Sequence, residues 1–328
     1  MPSHRLTPPK WRKHLQLHKS VRVMAPPPPA PAWPIYTGQA TYVGTSPSGR
    51  VVVYVDPTLG TDGLQNATDL VNDADRIVAQ NDSFFGDSGA SVSAIVYALS
   101  GATDGTGGAD HGACDYVNGA AIEVDASFGA SLRCSALFEA ELSECNMGGN
   151  LCGESTGEGL SRWCAMAVSS NALSDFATAP TWAADGAPNF VDTTDPTDQN
   201  ADAIGCTMAF LSWLLSQGFT FPAVCQSMLA LGDGGTLGAL YAALTDDDAA
   251  NAWAKFSAAV SALPFGVVSD DPFGGMPAPA PAPTPTPAPA PPPAPGPTAA
   301  APTMAQAIAW AQAGAAQGIQ DNWPAGIP

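Results

Sequence analysis

The sequence predicts an α+β fold: a small mixed β-sheet with one helix, followed by an all-helical lobe and flanked by disordered proline-rich ends. Two observations carry that expectation. Strand-like apolar runs occur only before residue 128, and from Gly129 onward the hydrophobic periodicity is almost wholly helical; runs of strands followed by runs of helices point to α+β rather than to a parallel α/β arrangement. Of 32 prolines, nine precede residue 37 and fifteen follow residue 276, which leaves only eight for the 240 residues between them. One folded body between two extended ends follows. The boundaries read as a basic, then proline-rich leader at 1–36, a single globular domain at 37–265, a Pro-Ala linker at 266–302, and a short helix or disordered tail at 303–328.

The elements follow in order. ATYV and RVVVYVD (40–43 and 50–56) flank the turn cluster GTSPSG and predict a β-hairpin. The stretch beginning LQNATDLVNDADRIV sets Leu64, Leu70, Val71, Ala74, Ile77 and Val78 near one face, which predicts a helix of about 18 residues. SVSAIVYAL (91–99) is apolar and rich in β-branched residues, and AAIEVDAS (120–127) alternates; both predict strands. Helical spacing then covers 130–146, 156–172, 200–217, 222–231, 235–244 and 248–262. The Pro-Ala tract at 277–297 predicts a stiff polyproline II spacer of about 65 Å, at ~3.1 Å per residue. Thr303 is a candidate N-cap for a short terminal helix.

Charge narrows the function classes. Residues 1–24 hold six of the eleven Lys/Arg, whereas 25–276 carry five Lys/Arg against 29 Asp/Glu. A body so acidic repels polyanions, which excludes nucleic acid as its partner. No apolar run approaches the roughly 20 residues of a membrane span. The leader lacks the apolar core of a standard secretory signal, so a cytoplasmic location is the default expectation, although a stalk and an acidic body suit export or surface display.

All six glutamates (Glu123, Glu139, Glu141, Glu144, Glu154 and Glu158) lie within 36 residues, while the other 24 acids are aspartates. Glu141 and Glu144 are three apart on a predicted helix, and Glu154 and Glu158 are four apart at the start of the next. Like charges at that spacing repel unless they share something positive, which points to a carboxylate-lined site for a cation or for acid–base chemistry. The plainer account is that glutamate favours solvated helix faces and helix N-termini, with Glu158 and Arg162 as an i, i+4 ion pair. His111, the one histidine outside the leader, sits in a Gly/Asp loop and is the one neutral nitrogen base on offer. Seven cysteines include no CxxC pair. Cys134 and Cys164 read as buried small hydrophobes, and Cys145 and Cys152 bracket a glycine loop that a disulfide could close. Asp198, Asn200 and Asp202 alternate as at the opening of a calcium loop, but the glycine and the bidentate glutamate that should follow are missing, and Asp202 serves more simply as a helix N-cap.

AELSE (140–144) on one helix, GEGLSR (157–162) opening the next, and TWAADG (181–186) beyond them together resemble the zincin-like metallopeptidases, in particular the gluzincins and the basic-secretory-protein type. In zincins two histidines of HExxH bind zinc while its glutamate activates water. The resemblance implies Glu141 as general base, Glu144 in place of the second histidine and Glu158 as the glutamate ligand; Ala140 stands where the first histidine belongs. His111 and Glu154 are the further candidates for an oxygen-rich site holding one divalent cation, Zn²⁺, Mn²⁺ or Ca²⁺. The primary expectation is a non-catalytic or vestigial zincin-like domain on a spacer, binding a protein, peptide or glycan. The alternative is a metal-dependent hydrolase of peptidase type.

Overall fold

The computed structural model describes residues 27–112, 120–147, 151–197 and 199–277. The notional leader before residue 27, the Pro-Ala tract beyond 277, the terminal helix and Asp198 lie outside the described residues.

The architecture is mixed α+β. A five-stranded sheet comprises β1 (Thr41–Thr45), β2 (Val51–Val55), β3 (Val92–Tyr97), β4 (Ala109–His111) and β5 (Ala120–Asp125), in the spatial order β1-β2-β3-β5-β4. The first two strands form the antiparallel hairpin read from the sequence. β2, β3 and β5 run parallel, because helix α1 (Gly60–Phe85) crosses over between β2 and β3 as parallel pairing requires. β4 returns antiparallel along β5 at the edge. The central strands are covered on both faces, which explains their near-continuous apolar sequences. α1 exceeds the expected 18 residues and reaches 26, ending where Gly86 takes the left-handed conformation at φ 76°.

Among the described residues seven α-helices follow: α2 (Ser131–Met147), α3 (Ser155–Ser169), α4 (Ala179–Ala184), α5 (Ala201–Ser216), α6 (Phe221–Leu231), α7 (Leu237–Thr245) and α8 (Ala252–Ser261). The short α4 carries the TWAADG segment and had no periodicity to announce it. Two cores result. One joins the sheet to α1 and α2 through Val53, Ile77, Val96, Ile122, Phe138 and Leu142. The other fills the helical lobe around Trp163, Trp182, Phe210 and Phe256. The glycines that open α3 serve its close docking, since a Cβ at Gly159 would stand 2.4 Å from Thr207 on α5. Among the described residues no helix is long and apolar enough to cross a membrane.

The folded unit extends past both boundaries read from proline content. Residues 28–36 lie across the outer face of the sheet: the Tyr54 hydroxyl donates to the carbonyls of Pro28 and Pro29 at 3.0 Å each, and the amides of Ile35 and Tyr36 donate to Glu123. Proline cannot extend a ladder, but its carbonyl still accepts. At the other end Asp270 caps α4 by accepting from the amides of Thr178 and Ala179, and Asp271 accepts from the Ser212 hydroxyl at 2.6 Å.

Three local expectations are corrected. The loop holding His111 contains the edge strand β4. Asn200, not Asp202, caps α5, accepting from the amides of Asp202 and Ala203 at 3.1 and 3.2 Å. Cys152 is in a disulfide while Cys145 keeps its thiol, so the two do not close the loop between them. Cys134 and Cys164 are buried thiols as expected.

Candidate metal centre

α2 is sandwiched between the sheet and α3, so most of its surface is covered. Cys134, Leu137, Phe138 and Leu142 meet the sheet, while Ala136 and Ala140 meet Ala165 of α3. Leu137, Ala140, Glu141 and Glu144, spaced as one helical face, line a cavity of about 380 Å³. The facing wall is the glycine segment 105–108 and β4, and the floor comes from Glu158, Arg162 and Met166, which form one face of α3.

The register of β4 on β5 decides where His111 points. His111 lies opposite Ile122, whose side chain is in the core beneath α2, and partners in a ladder share a face. His111 therefore turns toward α2. Its Nε2 stands 3.0 Å from Glu144 Oε2 and 3.8 Å from Glu141 Oε2. One ligand atom from each of these three residues falls within 4.8 Å of the others.

Glu144 is pushed up to about 8, first by burial, with the neighbouring Glu158 carboxyl adding to the rise and the His111 hydrogen bond opposing it. Glu158 Oε1 accepts from Arg162 Nε at 2.9 Å, and Arg162 Nη1 donates to the Phe176 carbonyl at 3.1 Å. The i, i+4 pair inferred from sequence is thus present, at the cavity wall.

Four of the five candidate residues meet at this one place: His111, Glu141, Glu144 and Glu158. Glu154 does not join them. It precedes α3 in extended conformation and accepts from the Thr194 hydroxyl at 2.8 Å. Glu123 and Glu139 are buried elsewhere, under the N-terminal segment and against α1 respectively. Sequence reasoning missed the apolar wall of Met166, Leu173, Phe176 and Met208, and Asp270 at the far side. Met166 was within reach, four residues after Arg162 and eight after Glu158; nothing in the pattern marked Asp270.

The donor set suits a divalent cation. Two ligands about 2.1 Å from one tetrahedral ion stand about 3.4 Å apart, and His111 Nε2 lies 3.0 Å from Glu144 Oε2. One imidazole with carboxylates is acceptable to Zn²⁺ and Mn²⁺, while Ca²⁺ takes oxygen ligands.

In comparison with known proteins, no family model matches the chain, and no curated protein or solved structure matches it.

Proposed function

We propose that the chain is a metal-dependent hydrolase of peptidase type with a zincin-like fold, in which His111, Glu144 and Glu158 hold one divalent cation and Glu141 is the general base. The observation that carries this reading is the imidazole of His111 beside Glu144 at 3.0 Å. Ala140 cannot supply the ligand that HExxH places at that position, and an imidazole from the edge strand reaches the same cavity wall instead. A bound cation would supply Lewis-acid polarisation of a carbonyl and would acidify a water toward neutrality. Glu141, 3.8 Å from His111 Nε2, would serve as the group that accepts a proton and gives it to the leaving group. Arg162 holds the Glu158 carboxylate in place through Nε, as partners behind a metal ligand do.

A second reading keeps the domain non-catalytic, binding a protein, peptide or glycan from its spacer. It is favoured by the same pairings: His111 with Glu144 and Arg162 with Glu158 already offset two of the acids without any ion.

Metal analysis separates the two. The hydrolase reading expects one Zn²⁺ or Mn²⁺ per chain after loading and dialysis, lost in His111→Ala and Glu144→Gln, and retained without peptide hydrolysis in Glu141→Gln. A protein that stays metal-free and shows no thermal shift with Zn²⁺, Mn²⁺ or Ca²⁺ leaves only the second.

A further inference from the structure

His111 is carried by the least supported strand of the sheet. β4 has three residues, stands at the edge and, among the described residues, pairs with β5 alone. Two backbone bonds bracket it, from the Asp125 amide to the Gly108 carbonyl and from the Gly112 amide to the Ala121 carbonyl, both at 2.9 Å. Its central residue works against that pairing. Asp110 lies opposite Glu123, one step along from the His111–Ile122 pair, so both carboxyls project from the outer face of the sheet. The Tyr97 hydroxyl stands near both, its pKa raised first by burial and then by the charges of Glu123 and Asp110. Like charges directly opposite in a ladder destabilise the pairing of its strands.

The N-terminal segment offsets this repulsion. Glu123 is wholly buried, and its carboxyl accepts from the amide of Ile35 at 3.1 and 3.2 Å, from the amide of Tyr36 at 2.6 Å and from the Tyr97 hydroxyl at 3.2 Å. Bonds of this kind, to an ionised acceptor, are about twice as strong as neutral ones. The segment also reaches the end of β4: a Cβ on Gly112, the residue after His111, would meet Pro34 Cγ at 3.7 Å. Tyr36 packs on Tyr97 with ring centres 5.0 Å apart, and Trp33 on Tyr54 at 5.6 Å. The segment therefore crosses β2, β3, β5 and the end of β4 on the face opposite His111. Resting on the hydrolase reading, in which His111 is a ligand, we infer that this segment, latched by Glu123, is a brace that fixes β4 and so positions the imidazole for the cation. When Ile35 and Tyr36 release Glu123, β4 loosens from β5 and His111 leaves Glu144. Affinity for the cation then falls with the fraction of chains that keep His111 in place. Ile35, Tyr36 and Glu123 are positioning residues, since none of them lines the cavity.

The test uses the full chain and two substitutions at Ile35, whose side chain is 56% exposed and whose amide is part of the latch. Ile35→Pro removes the N–H and changes no residue of β4, β5 or the cavity; Ile35→Ala keeps the N–H. In the metal-free protein, hydrogen exchange over 105–112 is expected to quicken by about fivefold or more in Ile35→Pro, with α1 and α5 unchanged. Calorimetry is expected to show Mn²⁺ binding weakened by about threefold or more. Ile35→Ala is expected to match the wild type in both measurements. Where Ile35→Pro fails to fold, Trp33→Ala serves, since it frees the segment over Tyr54 and touches neither β4 nor β5. Unchanged exchange at 105–112 in a folded variant overturns the inference. So does faster exchange throughout the chain, the mark of a general support, and so does faster exchange at β4 with undiminished Mn²⁺ affinity. A wild type that takes up no Mn²⁺ overturns the hydrolase reading instead, and exchange alone then decides whether the segment braces β4.

Discussion

The side of α2 that faces α1 and the side that faces the cavity each hold a buried carboxyl, and the two are treated differently. Glu139 is wholly buried; Asn81 donates to its Oε1 at 3.0 Å, and its Oε2 has no partner. Burial holds its carboxyl well above the usual range, against the opposing Asn81 hydrogen bond and the nearby Arg76 charge. Glu144 is almost as buried but lines the cavity, with His111 at 3.0 Å and the Glu158 carboxyl beside it. Desolvation raises both groups. The cavity side alone borders a space that could take a cation in place of the proton, so burial favours the neutral form of Glu139 and leaves Glu144 a candidate ligand.

The comparison is broken most severely by forcing charge onto each side in turn. Glu139→Lys puts an ammonium where nothing hydrates it and is expected to cost more than about 3 kcal/mol, whereas Glu144→Lys, beside Glu141 and Glu158, is expected to cost less than half as much. Urea unfolding of the two variants is the check, and similar midpoints would show the two environments to be alike. Next in size, Asn81→Ala strips Glu139 of its donor and also leaves Asn146, which donates to Asn81 Oδ1, without that acceptor; a loss of about 1–3 kcal/mol is expected.

Glu139→Gln has the opposite sign. With its pKa raised on folding, Glu139 contributes its full stability below the unfolded value of about 4.5 and loses it as pH rises toward the folded value. The glutamine variant has no such loss, so its stability should overtake that of the wild type and the difference should widen from pH 5 to pH 8, by about 1 kcal/mol or more. Calorimetric melts across that range decide it, and a constant difference would mean that Glu139 is ionised in the fold. The smallest effect belongs to Glu144→Gln, expected to change stability by less than about 1 kcal/mol in urea titrations of the metal-free protein.

Much of this was legible in the sequence, and the rest was hidden for identifiable reasons. The hairpin, α1, β3, β5 and the phase of α2 and α3 follow from apolar periodicity, and the spacing of 137, 140, 141 and 144 already marks the cavity face. The same phase could have separated Glu139, about 140° around the helix from Glu144 at ~100° per residue; crowding in sequence concealed their divergence in space. β4 was missed because three residues, Ala109 to His111, are too few to alternate, and that strand is what aims the imidazole. Proline content does not mark the ends of the folded unit, because Tyr54 and Glu123 recruit the proline segment and Asp270 and Asp271 fasten the other end.

The N-terminal segment that crosses the sheet also bears on how the protein is made. Its anchor, Glu123, lies 87 and 88 residues further along the chain from the two amides it binds. At about 5–20 residues per second on the ribosome, the segment that emerges first waits roughly 4 to 18 s for its binding site to be synthesised. Through that interval Tyr54 and then Ile95 and Tyr97, the aromatic and aliphatic surface it will cover, leave the exit tunnel bare. Closing so distant a contact is slow relative to local helix formation, which makes the outer face of the sheet the surface most in need of protection while the chain is being born.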